Sequence, residues 1–256
     1  MRKPSPSSLA GAAALTCLAA AALASAAPNL ETISGDITPH RLPADRRAPV
    51  TLFTDVQLTN PENANQLPNP TTLLKIDYDK AGAFYQRGLP VCNPDRFTAA
   101  TTPKQAKAIC RGSLIGHGSS RVAVPLGPGG PPTYVDAQVL QFNGKRKTIV
   151  MPTFNSISGE LTLTGRVRPA DPGPPPAGAG PEYGLTLTVP VPPLPAGGIV
   201  TQLSASVHRV WRYKHRRRSV VSAKCGPDRE LRAQARSTDN FGQVAVATLA
   251  EPCEVR

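Results

Sequence analysis

The sequence predicts a mostly β fold: an antiparallel β-sandwich or jelly-roll-like body with one short helix pinned by a disulfide. Three observations carry this. Apolar residues recur every second position over many short stretches, not at the helical period of about 3.6. Proline and glycine, 29 and 21 of the 256 residues, punctuate the gaps. Beyond residue 26 the cysteines number four, an even set of the kind that exported chains pair.

The strands follow in chain order. Val50 to Leu58 is rich in β-branched and apolar residues, and Leu74, Ile76 and Tyr78 alternate with Lys75, Asp77 and Asp79. Arg121 to Val124, Tyr134 to Phe142, Thr148 to Phe154, Glu160 to Val167, Leu185 to Val191, Ile199 to Tyr213, Ser219 to Ala223 and Gly242 to Leu249 continue in the same style. One helix is expected. Thr102-Pro103-Lys104-Gln105 is a capping box with proline at the first helical position, and Gly112 suits the left-handed residue after the helix. A helix this short does not hold alone, so a bridge from Cys92 to Cys110 would pin it.

Four cysteines, Cys92, Cys110, Cys225 and Cys253, allow three pairings. Cys92 with Cys110 and Cys225 with Cys253 are favoured, because each pair is close in sequence and within one local unit. In the chain-entropy view the first loop is worth ~3 kcal/mol. No spacing suits zinc, and no phosphate-loop or dinucleotide fingerprint occurs, so neither a metal nor a cofactor is expected.

The first residues set the expected compartment. Arg2 and Lys3 precede an uncharged Ala-rich run from Leu9 to Leu23, and Ala24-Ser25-Ala26 has the small-x-small pattern of a signal cleavage site. That run is shorter than the ~20 residues a spanning helix needs. Residues 1–26 are therefore expected to be a signal peptide, 27–45 an N-terminal arm without fixed structure, and 46–256 a single β-rich domain with a Pro/Gly loop at 169–181. No later segment reads as transmembrane, so a secreted, soluble protein is expected.

The formal charge is +12; the leader takes Arg2 and Lys3 and no acid, leaving +10. Such an excess favours an anionic partner. The richest cationic run is His208 to Arg218. On a strand, Arg209, Trp211 and Tyr213 share one face and Arg212 and Lys214 the other, with Lys214 to Arg218 forming a hairpin tip that returns through Val220 and Val221. The candidate anion-binding residues are Arg212, Lys214, His215, Arg216, Arg217 and Arg218, whose planar guanidinium forks suit phosphates and carboxylates. Trp211 is a candidate for stacking on a sugar, or sits in the core. An exported chain points to a cell-wall polymer or matrix polyanion before nucleic acid.

Catalytic readings are weaker. Asp77 and Asp79 share a strand face as an acid–base pair would, but Lys75 and Lys80 make a charged solvent face the simpler account. Gly116-His117-Gly118-Ser119-Ser120 juxtaposes His and Ser on what reads as a tight turn before the strand at Arg121, with no nucleophile elbow. No catalytic residue is assigned.

Leu89-Pro90-x-Cys92, a short helix ending at Cys110, Gly116-x-Gly118 before a strand, a basic strand pair leading to Cys225, and Cys253 near the end together resemble an uncharacterised family of secreted, β-rich actinobacterial proteins. The resemblance covers roughly two thirds of the chain. It implies export and a β-rich fold, and it brings no activity and no catalytic residue.

Overall fold

A computed structural model describes residues 28–63, 66–127, 131–155, 159–170 and 183–256. The expected leader, with Cys17, and most of the Pro/Gly loop at 169–181 lie outside the described residues. The strands are β1 (Leu30–Thr38), β2 (Arg41–Leu42), β3 (Ala48–Pro49), β4 (Thr51–Thr59), β5 (Thr71–Asp79), β6 (Gly82–Phe84), β7 (Leu114–Val124), β8 (Thr133–Asn143), β9 (Thr148–Asn155), β10 (Gly159–Pro169), β11 (Tyr183–Pro190), β12 (Ile199–Val207), β13 (Val210–Tyr213), β14 (Arg216–Ser219), β15 (Val221–Ala223), β16 (Glu230–Asp239), β17 (Val244–Pro252) and β18 (Glu254–Val255). Helix α1 (Pro103–Ile109) lies between β6 and β7.

The fold is mostly β and antiparallel, with one α-helix among the described residues, as the alternation predicts. Eleven strands form one sheet in the order β1-β4-β12-β7-β8-β9-β10-β11-β5-β16-β17. The sheet curls until β1 lies beside β17, giving a nearly closed barrel. Opposite arcs then face each other across the core as the layers of a sandwich do: Leu74 and Ile76 of β5 share one cluster with Ile115 of β7 and Val139 of β8.

Glycine permits the tight coiling. A Cβ on Gly118 would stand 2.0 Å from the Ser204 carbonyl oxygen of β12, and one on Gly116 2.3 Å from that of Ser206. Gly116 to Ser120 therefore lie inside β7 and not in a turn before it, a correction to the expectation from turn chemistry. Two further expectations change. Residues 28–45 are not an unstructured arm, because β1 pairs with β4 along its whole length and Leu42 is fully buried. Ile199 to Tyr213 is not one strand. It breaks at His208, whose N–H donates to the Ile115 carbonyl (2.9 Å), and the chain leaves the barrel as a separate hairpin.

The short helix forms as expected. Thr102 and Gln105 make both halves of the capping box, and Gly112 takes φ +83°. Cys92 bonds to Cys110, and Cys225 to Cys253. The first bridge holds α1 over the outside of the barrel, where Cys92, Phe97 and Ala106 pack on Leu140, Phe142, Val150 and Phe154. This explains why β9 is buried on both faces: Ile149 and Met151 point inward, and Val150 and Phe154 point under α1. The second bridge belongs to a floor cluster with Leu42, Val50, Ala81 and Leu231, beside the small sheet β3-β15-β6.

A buried carboxylate ties β1 to β16 across the seam. Glu31 Oε2 accepts from the Ser237 backbone N–H (2.9 Å) and hydroxyl (3.0 Å), while Oε1 has no partner. Desolvation raises its pKa above 4.5, opposed by the two Ser237 hydrogen bonds. A carboxyl that holds its proton more tightly folded than unfolded favours folding below the unfolded pKa, and loses that benefit as pH rises through the folded one. Glu31→Gln is therefore expected to melt higher than the native protein at about pH 7 and level with it near pH 4. An unchanged difference between the two pH values would contradict a buried ionised Glu31.

The barrel is not filled. Three cavities, of about 110, 90 and 40 Å³, follow one another inside it. At roughly 24 cal/mol per Å³, leaving the largest empty costs about 3 kcal/mol.

Candidate anion-binding hairpin

The cationic run folds as β13 and β14, paired Val210–Ser219, Trp211–Arg218, Arg212–Arg217 and Tyr213–Arg216. Lys214 and His215 form the two-residue turn, at φ 48° and 61°. Two consecutive left-handed residues match the twist of a hairpin, though Asn-Gly is the usual choice and a side chain in this region costs about 1–2 kcal/mol. The tip is thus Lys214-His215, and Arg216 already belongs to the returning strand. At the base, Val220, fully buried, donates its N–H to the Arg209 carbonyl (2.9 Å).

Alternation sorts the side chains as expected. Arg209, Trp211 and Tyr213 are half-buried on the inner face, and Arg212 is exposed on the outer face. Trp211 packs against the main core and stacks on Tyr85, with ring centres 5.9 Å apart and planes at 21°. It is committed to the protein, which removes it as a stacking platform for a sugar. Arg218 covers the other part of this contact, its guanidinium 5.1 Å from the Tyr85 ring centre. Tyr213 packs on Gly88: a Cβ there would fall 2.1 Å from Tyr213 Cδ2, and Gly88 itself has φ +88°. The hairpin is therefore docked at its inner face and free at its outer one.

Arg212, Lys214, His215, Arg216 and Arg217 are all exposed. Among the described residues, none of them, nor Arg218, forms an ion pair with a carboxylate. Arg212 and Arg217 are directly opposite across the ladder, a like-charge pairing that destabilises a sheet by about 0.2–1 kcal/mol. Beneath them, Arg209 Nε, Trp211 Nε1 and Arg218 Nε are buried without an acceptor, so no buried acid offsets the charge.

The other candidates serve the scaffold. Asp77 and Asp79 do share the outer face of β5, but Asp77 is 3% exposed and not on a solvent face. It accepts from the Thr186 hydroxyl of β11 and from Arg236 Nη2 of β16 (2.6 Å). Asp79 accepts from the backbone N–H of Ala81 (2.7 Å) and of Arg232 (3.2 Å). Ser119 shares a hydrogen bond with the Ser204 hydroxyl (2.9 Å), a cross-strand contact with β12. Among the described residues no group of His, Cys, Asp and Glu is placed to hold a metal ion, and no helix is long and apolar enough to cross a membrane. The two disulfides are compatible with an extracellular protein. Comparison with protein-family models and with curated proteins gives no match.

Proposed function

We propose that the chain is an exported, non-enzymatic protein that docks on an anionic extracellular surface, a cell-wall polymer or matrix polyanion, through the exposed tip and outer face of the β13–β14 hairpin. The observation that carries this is the set of exposed, unpaired cations held on a hairpin whose inner face is locked to the barrel. Repulsion between Arg212 and Arg217 and two left-handed tip residues both cost stability, and an anionic partner offsets the first. Fixed, closely spaced guanidinium groups lose little freedom on meeting repeated carboxylates or phosphates. The +10 charge beyond residue 26 adds long-range attraction. A hydrolase on this scaffold gains nothing from Asp77 and Asp79, whose oxygens are already engaged.

The test is co-sedimentation of the purified protein with isolated anionic cell wall across a salt series. Binding is expected at low salt and should fall steeply as ionic strength approaches physiological values, where screening acts over about 8 Å. Absence of binding at the lowest salt would overturn the reading.

A further inference from the structure

The three cavities adjoin one another along the barrel lumen. Leu74, Val189 and Leu203 line both the largest and the central one, and Tyr78, Ile149 and Leu187 line both the central one and the cavity above the floor. Along β5 the lining includes Thr71, Leu74, Ile76 and Tyr78, about 24 Å of strand. The space has a sequence origin. An eleven-stranded barrel is wider than the eight-stranded kind that side chains fill, and small residues occupy inward positions at Ser120, Ala137 and Ala205. Tyr78 registers the result: burial pushes its phenol up to about 12, chiefly by desolvation, yet the side chain keeps accessible surface because that surface faces the lumen.

Most of the lining is aliphatic, and water needs two to four polar partners to settle in such a space. Polar side chains interrupt that surface, and two of them present an oxygen without a partner. Gln141, 2% exposed, lines the central cavity with Oε1 unpartnered, and Thr71, 7% exposed, lines the largest with Oγ1 unpartnered. At the end bearing the largest cavity, residues 191–196 supply all of its described lining that is not strand, through Val191, Leu194, Pro195 and Ala196. Ala196 and Gly197 there take φ 54° and 67°, and exposed Leu126 and Phe241 sit in connections at the same end.

We propose that this lumen binds one long aliphatic chain ending in an O–H group, a fatty alcohol or a fatty acid in its protonated form, admitted past the 191–196 loop. A narrow, elongated, apolar space excludes compact polar ligands, and an O–H donor at Thr71 or Gln141 satisfies an oxygen that otherwise has no partner. The site lies inside the barrel and is independent of the hairpin.

The experiment is titration of the purified protein with parinaric acid, read by its fluorescence. The expected result is saturable uptake of one equivalent, displaced by oleic acid. Ala137→Trp fills the largest cavity and should weaken uptake at least tenfold without lowering the melting temperature. Should that variant melt early, Ser120→Leu supplies the same obstruction with a smaller side chain. Gln141→Leu should weaken a hydroxylated chain more than an unhydroxylated one of equal length. No saturable uptake by the native protein, or uptake undiminished in a stably folded lumen-filling variant, would overturn the proposal. Binding of cell wall by the hairpin should be unchanged in all three variants.

Discussion

Replacing Arg212, Arg216 and Arg217 by serine, with Lys214-His215 changed to Asn-Gly, is expected to remove salt-sensitive binding to anionic cell wall while the barrel stays folded. Each exposed cation is worth roughly 0.2–1 kcal/mol against a partner charge, so four of them acting together account for about 3 kcal/mol, on the order of a hundredfold in Kd. The fold should not suffer. None of the substituted side chains packs in a core cluster, the Arg212–Arg217 repulsion disappears, and Asn-Gly is the preferred pair for a turn of this geometry. Arg218 is left in place, because its guanidinium covers Tyr85 and its loss would disturb packing as well as charge. A second variant removes the same number of cations elsewhere, at Arg96, Lys104, Lys107 and Arg111, all exposed and all on or beside α1. It should keep most of the affinity. Equal losses in the two variants would show that overall charge, and not the hairpin, drives binding.

Asp77→Ala is expected to be the most damaging single change in the sheet. Asp77 joins three neighbouring strands: its own β5, β11 through Thr186, and β16 through Arg236. Removing one member of a buried ion pair typically costs 3–5 kcal/mol, because the remaining charge loses its partner. The Arg236 side chain is 34% exposed and can turn partly to water, which places the expected loss near the lower bound, about 3 kcal/mol. Asp77→Asn retains an acceptor for Thr186 and should lose about half as much. Urea denaturation reads both: the midpoint should fall with an unchanged slope. A loss under about 1 kcal/mol for Asp77→Ala would mean that the pair adds little to the native sheet.

The parts of this fold legible in the sequence are those where local chemistry and tertiary structure agree. The Thr102–Gln105 capping box, the two cysteine pairs and the inner and outer faces of the hairpin all follow from residue type and spacing. The misses have physical causes. In β1 the inward positions are Glu31, Ile33, Gly35 and Ile37, so half of the apolar alternation is absent. Glu31 is there to accept hydrogen bonds, and a Cβ on Gly35 would meet the Phe53 carbonyl and Leu249. In β16 the inward positions Leu231, Ala233, Ala235 and Ser237 alternate correctly, but Ala, Arg and Gln are helix formers and carry little strand signal. Gly116 and Gly118 read as turn residues because local sequence does not reveal that another strand's carbonyls approach within about a bond length and a half of their missing side chains. The lumen left no motif, since small residues at Ser120, Ala137 and Ala205 create space only once eleven strands close around them.

Hydrogen–deuterium exchange of the purified protein, with and without soluble anionic cell-wall polymer at low salt, tests the central claim most directly. Slowed exchange is expected, confined to residues 209–219 and the Tyr85–Gly88 segment beneath them and reversed by added salt. Protection elsewhere on the barrel with 209–219 unchanged would contradict it.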